Sequence, residues 1–225
     1  RGALKSKSQF MKKYFVFIVL SIISAQLHSQ VFGDFRIGAS VSKIKMPKEF
    51  DEEVHAVCNF MYGTSAGVFL GTKFSGQLWV QSSAYGVDIE ESEYHASAIL
   101  RLRHLQFQPE ISYQLSKRFS LNTGCSFGTL LKIKRNTNLE GWEDVENNEF
   151  FNDSDFGLVG GLQYQLNPFI LGISWYQGLN NIAHDHWIDS EGNVLDDPKV
   201  FNRSLTISVA YRLGKPRQLD NEQAH

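Results

Sequence analysis

Two cysteines among 225 residues cannot build a disulfide scaffold, and no Cys-x-x-Cys pair offers a zinc knuckle. Proline is scarce, at five, and charged side chains make up only 20% of the chain. With 17 Phe and eight Tyr, the chain is too aromatic and too weakly charged to be disordered. There is no long Lys/Arg run and the formal net charge is −2, which argues against a nucleic-acid binder. After residue 30 no apolar run approaches the roughly 18 residues of a membrane helix, so a helical membrane protein is excluded too.

What is present begins with an export signal. Met11-Lys-Lys is a short cationic start, Tyr14 to Ile23 is an apolar stretch, and Ser24 to Gln30 is a small-residue exit. Together they predict a secretory signal peptide over 11–29, too short in its apolar part to span a bilayer. Cleavage is expected after Ser29, with Ala25 as the alternative, and no Cys follows either site to carry a lipid anchor. Residues 1–10 have no pattern and read as an upstream extension or a cloning scar. Without 1–29 the chain keeps 17 basic and 24 acidic residues, a net charge of −7.

The rest alternates with period two. From 119 to 133, Phe119, Leu121, Cys125, Phe127, Leu131 and Ile133 share one face, while Ser120, Asn122, Gly124, Ser126 and Gly128 share the other. Similar stretches predict strands over 34–45, 63–74, 77–90, 99–115, 156–166, 169–178 and 201–213. The stretch 77–90 has mixed faces, with Leu78 and Val80 even but Tyr85, Val87 and Ile89 odd, and a bulge near Gln81–Ala84 would reconcile them. Tight turns are expected at Ser75-Gly76, Lys117-Arg118 and Asn167-Pro168. Long polar connections are expected at 46–62, 91–98, 135–154 and 179–200. Long and short connections in alternation are what an up-and-down meander of eight strands gives when all long loops leave one end.

Alternation alone does not say which face meets water. The polar face carries Gly, Ser, Thr, Asn and Gln, and from 156 to 178 no charge at all. A water-facing sheet would carry many Lys and Glu. Small neutral residues suit a crowded lumen, and Phe, Leu, Ile and Trp suit lipid. The expected fold is therefore all-β, an eight-stranded antiparallel up-and-down transmembrane β-barrel over 30–215 with a polar tail at 216–225. A secreted soluble barrel, with its faces inverted, is the rival reading.

Several stretches resemble the small outer-membrane β-barrel family often labelled porin-like or PorT-like. They are Leu105-Gln-Phe-Gln-Pro109-Glu-Ile-Ser-Tyr113, Phe119-Ser-Leu-Asn-Thr-Gly124, Asp155-Phe-Gly-Leu-Val-Gly-Gly-Leu162, Tyr176-Gln-Gly-Leu-Asn-Asn-Ile182 and the closing strand Leu205 to Leu213. The resemblance implies residence in the outer membrane, in contact with its lipid and lipopolysaccharide. It also implies insertion by barrel-insertion machinery that reads an aromatic after the last strand. Here Tyr211-Arg-Leu213 is followed instead by the polar stretch Gly214–His225.

Candidate chemistry is sparse. Gly63-Thr-Ser65-Ala-Gly67 matches a nucleophile-elbow pattern, but the next residues, Val68 to Phe74, are more strand and not the helix that motif needs. His184, Asp185 and His186, with Asp189 nearby, are metal candidates in an otherwise solvated loop. Asp189-Ser-Glu-Gly192-Asn193 reads better as a hairpin turn than as a calcium loop, since it lacks the glycine and glutamate spacing. The acids of the long connections, Glu49, Asp51, Glu52, Glu53, Glu91, Glu93, Glu140, Glu143, Asp144, Glu146, Glu149 and Asp153, read as solubilising, or else as holders of divalent cations shared with lipid A phosphates. Inward-facing Arg36, Lys73 and Arg212 are expected near the short-turn end, with Glu110 in ion-pair reach of at least one. Cys58, in the first long loop, and Cys125, on the lipid face, point apart. Trp79, Trp175, Tyr62, Tyr94, Tyr113 and Tyr176 are candidates for an interface belt, and Trp142 and Trp187 for loops.

The expectation is an outer-membrane barrel with a side-chain-filled lumen. It would act through its extracellular loops in envelope structure, adhesion or binding of an envelope protein partner. No cofactor, nucleic acid or enzymatic activity is implied. The alternatives are a narrow porin-like channel or secretion-system component, and a lipid- or peptide-hydrolysing enzyme whose residues would come from His95, His184, Asp185 and His186.

Overall fold

The computed structural model describes residues 31–45, 54–89, 98–137, 141–145, 151–183, 186–188, 194–196 and 199–213. Eight long strands make the wall: β1 (Val31–Lys45), β2 (Val54–Leu70), β3 (Phe74–Ile89), β4 (Ala98–Gln114), β5 (Phe119–Thr137), β7 (Ser154–Leu166), β8 (Phe169–Gly178) and β11 (Phe201–Leu213). Three short strands sit in the connections: β6 (Gly141–Asp144) pairs with the end of β5, and β9 (His186–Ile188) pairs with β10 (Val194–Asp196). Each wall strand runs antiparallel to both neighbours, and β1 seals on β11 from Gly33↔Leu213 to Lys45↔Phe201. The ring is closed and leaves no open edge in the wall.

The faces are those of a membrane barrel. Asp34, Arg36, Gln77, Gln81, Gln106, Gln108, Glu110 and Asn122 point inward and are buried. Ile37, Phe107, Ile111, Phe127, Ile173 and Ile207 point outward, each about half exposed or more. A water-soluble sheet would reverse this, so the secreted soluble reading falls. All the tight turns lie at one end, at 71–73, 115–118 and 167–168, and all the long connections at the other.

Several expectations need correction. The second strand starts at Val54, not 63, so Cys58 is in β2 and not in a loop. Residues 54–62 escape the pattern because inward Val57 and Met61 are apolar while outward Cys58 is not. The first tight turn is Gly71-Thr72-Lys73, not Ser75-Gly76. Gly71 has φ +71°, which a glycine adopts freely. There is no bulge at Gln81–Ala84, because β3 pairs β4 without a break from Phe74↔Tyr113 to Ile89↔Ala98. The irregularities lie elsewhere. The β2–β3 register shifts by one residue between Ala56 and Tyr62. Arg103 faces Lys132 but His104 faces Leu130, so β5 carries an extra residue at Leu131. That bulge turns Ile133 inward, where it is buried, and not onto the lipid face.

Tyr85, Val87, Leu102 and Ile133 point inward because the long-loop end of the lumen is apolar. Ile44, Val87, Leu102 and Ile133 from the wall pack with Phe151, Ile182, Ala183 and Val200 from the connections. Hydrogen bonds hold this cap together: Asn152 N to Ile182 O at 2.7 Å, Ile182 N to Val200 O at 3.0 Å, and Asn152 Nδ2 to Ala183 O at 2.9 Å.

Close approach explains the small residues of the wall. A Cβ on Gly67 would lie 2.4 Å from the Phe32 ring, whereas one on outward Gly160 meets nothing within 4 Å. Gly67→Val is therefore expected to cost about 1–3 kcal/mol and to lower the temperature at which the compact, SDS-resistant band converts to the unfolded one. Gly160→Ala should leave that temperature unchanged. Equal midpoints for both variants would contradict this packing.

Candidate functional site in the barrel lumen

The lumen holds two charged rungs. Near the short-turn end Arg212 on β11 donates from Nε and Nη2 to the two carboxylate oxygens of Asp34 on β1, both at 2.8 Å. Gln77 Nε2 on β3 donates to Asp34 Oδ2 at 2.7 Å and to Ser65 Oγ at 2.6 Å. The Arg212 guanidinium lies 4.2 Å over the Phe32 ring. Two residues up β1, Arg36 Nη1 stands 3.9 Å from Glu110 Oε1, with both side chains 5% exposed or less. Arg36 also donates to Gln81 Oε1 and lies 3.8 Å over the Trp79 ring. Glu110 accepts from Gln108 Nε2, and from Asn122 Nδ2 at 3.1 Å.

Above these rungs the network turns neutral. Gln81 donates to Gln106 Oε1 at 2.9 Å and to Gln108 Oε1 at 3.1 Å, and Ser83 donates to Gln106 at 2.7 Å. Tyr85 stacks on Tyr176 at 5.3 Å and meets His104 edge-on at 5.4 Å. Under the cap, buried Asp155 accepts from Asn202 Nδ2 at 2.9 Å through Oδ2.

Of the bases assigned to a lumenal ion pair, Arg36 faces Glu110, Arg212 faces Asp34 and Lys73 is exposed in the β2–β3 turn. Lys73 leaves the lumen because the turn comes four residues earlier than its sequence suggests. Asp34, Gln77, Gln81, Gln108, Asn122 and Trp79 are the partners that sequence pattern alone did not identify. Parity carried the signal for two of them, since Asp34 and Arg36 are both even on β1, and Trp79 sits between Gln77 and Gln81 on the odd face of β3. Trp79 and Tyr176 are buried in the lumen and so are not belt residues. Ser65 is a strand residue beneath Gln77, with no helix after it. Both cysteines are free.

His184 and Asp185 lie outside the described residues, as do Asp189, Tyr94, His95 and most of the loop acids. His186 and Trp187 belong to β9, but their side chains lie outside the described residues. Among the described residues no group of three His, Cys, Asp or Glu could hold a metal. Of the loop acids, Glu143 pairs with Arg135 at 3.5 Å and Asp144 with Lys132 at 2.6 Å. The residues on either side of 189–193 pair as β9 and β10, and 189–193 lie outside the described residues.

Removing one member of a buried pair strands the other, at a cost of about 3–5 kcal/mol, whereas replacing both by apolar groups is often near neutral. Arg36→Met and Glu110→Met should each lower the urea midpoint in lipid vesicles, and the double variant should regain most of the loss. Additive losses in the double variant would show that the two side chains are not coupled.

The sequence profile for the outer membrane protein beta-barrel domain matches residues 24–184. A sequence search against curated proteins returns no match. Among solved structures, Neisserial surface protein A superposes with a TM-score of 0.51 at 12% identity, over 80% of this chain and 96% of that one. The attachment invasion locus protein Ail of Yersinia pestis has a TM-score of 0.45 at 14% identity, over 82% and 99%. OprG from Pseudomonas aeruginosa has 0.42 at 14%, over 83% and 97%. With a closed, eight-stranded, lipid-facing barrel and a matching profile over most of its length, the chain belongs to the outer membrane protein beta-barrel domain family and resides in the outer membrane.

Proposed function

We propose that the protein is a non-conducting barrel that acts through its external face, in envelope structure, adhesion or the binding of an envelope partner, and not as an enzyme. Closure of the lumen carries this reading. Three cavities between the lumenal side chains measure about 10, 20 and 20 Å³, room for about one water each. A permeating ion would have to break the Arg36–Glu110 and Asp34–Arg212 rungs and then part the apolar cap. His104 and Asp155 are buried beneath that cap.

The external face is built up on one side. In outer-membrane barrels the short turns face the periplasm and the longer connections face outward. β7 leaves β5 at Ser154↔Thr129, yet β5 continues to Thr137, paired with β4 and then with β6. Eight further residues rise about 25 Å along the strand. This raised wall of β3, β4, β5 and β6 is a stiff platform for contacts outside the bilayer.

The protein in a planar lipid bilayer should show no discrete current steps. Reproducible steps of fixed size would replace this reading with that of a narrow channel.

A further inference from the structure

One group of charges takes no part in the lumenal network. On four strands the first outward residue beyond the apolar band, on the long-loop side, is a base: Lys43 beyond Val41, Arg103 beyond Leu105, Lys132 beyond Leu131 and Arg203 beyond Leu205. Lys43 and Arg203 face one another across the β1–β11 seam, and on β4 and β5 two pairs of bases do so. Arg103 stands opposite Lys132, and Arg101 opposite Lys134. Leu102 and Ile133, the residues between them, are buried inward, so all four bases lie on the outer surface of one hairpin. At the opposite rim Lys73, Lys117 and Arg118 sit in turns and face no base across a strand pair.

Like charges set directly opposite each other weaken a strand pair, so the arrangement brings the sheet no stability. Asp144 takes Lys132 at 2.6 Å. Asp144 also stands opposite Lys134 across the β5–β6 pair, and among the described residues no carboxylate pairs with Arg101 or Arg103. The two guanidinium groups lie instead beside aromatic rings, Arg101 at 4.3 Å over Trp142 and Arg103 at 6.0 Å over Tyr62, and Arg101 Nε has no hydrogen-bond partner. Immediately below, Phe107 and Leu131 present half-exposed apolar surface to the membrane.

We propose that Arg101, Arg103, Lys132 and Lys134 form a binding site for the phosphate groups of an outer-leaflet glycolipid whose acyl chains lie on Leu105, Phe107 and Leu131. This rests on the reading that the long-loop end faces outward. Facing side chains on a strand pair have Cβ atoms about 5 Å apart, so one phosphoryl group can accept from both members of a pair. The second pair lies two residues along, about 6.6 Å away. Guanidinium groups suit phosphate through their paired donors. Placed where headgroups begin, the site joins charge complementarity to an apolar surface of the right polarity for the chains.

The whole chain, refolded in neutral detergent micelles, is titrated with diphosphoryl lipid A, with the same lipid stripped of its phosphates, and with inorganic phosphate. Binding is read by native mass spectrometry. Each surface base is worth about fivefold in binding an anionic lipid, so R101Q/R103Q/K134Q should bind diphosphoryl lipid A roughly 100-fold more weakly. K73Q/K117Q/R118Q, at the other rim, should bind as the parent does. The mobility shift between cold and boiled samples in SDS establishes that each variant is folded. If the triple variant fails to fold, the singles R103Q and K134Q carry the test at about fivefold each. Equal binding of the dephosphorylated lipid, or undiminished binding by the outer-rim variants, overturns the proposal. So does inorganic phosphate binding as tightly as the lipid, which would indicate a site for a free anion. Current steps in the bilayer would overturn the closed-barrel reading and leave this binding intact, so the two failures are distinguishable.

Discussion

The seam between β1 and β11 is the constraint on which the rest depends. Inside a bilayer no water is available to pair a backbone N–H or C=O, so a spanning sheet must close on itself. Here the first and last strands of the wall close it, in one unbroken register from Gly33↔Leu213 to Lys45↔Phe201. Eight strands closed in this way enclose a space just wide enough for side chains. The interior depends on that width: glycines stand where a ring leans across, as Phe32 does over Gly67.

The lumen accordingly behaves as a polar core. Asp34 pairs with Arg212 and Glu110 with Arg36, Asp155 under the cap accepts from Asn202, and glutamines and an asparagine extend the hydrogen bonds. Buried ion pairs contribute little net stability, because desolvation offsets most of the attraction. Their stronger effect is on register. A slip of one residue would turn Asp34 and Arg36 into lipid and Phe35 and Ile37 into the lumen. The same alternation that satisfies the bilayer on the outside thus holds the rungs together on the inside.

The two ends of the barrel differ in kind. One is finished by tight turns. The other is closed by an apolar cap drawn from wall and connections, and extended on one side by the raised β3–β6 wall. On β1, β4, β5 and β11, polar lumen, apolar cap and basic outer belt succeed one another over a few residues. This explains why the polarity contrast between faces fades there: inward residues become apolar just as outward residues become basic.

The legible part of the sequence was the part governed by local alternation. Period two marks the wall strands, and the absence of charge on the polar face from 156 to 178 says which side is the lumen. The turns at Lys117-Arg118 and Asn167-Pro168 are dictated by turn chemistry. The start of β2 and the inward Tyr85, Val87 and Ile133 were not legible. Each depends on a bulge, or on a cap assembled from residues distant in sequence. The choice of ion-pair partners lay further still from local pattern. Arg212 and Asp34 are 178 residues apart, and they meet because the ring closes β1 on β11, a long-range event that no stretch of sequence encodes by itself.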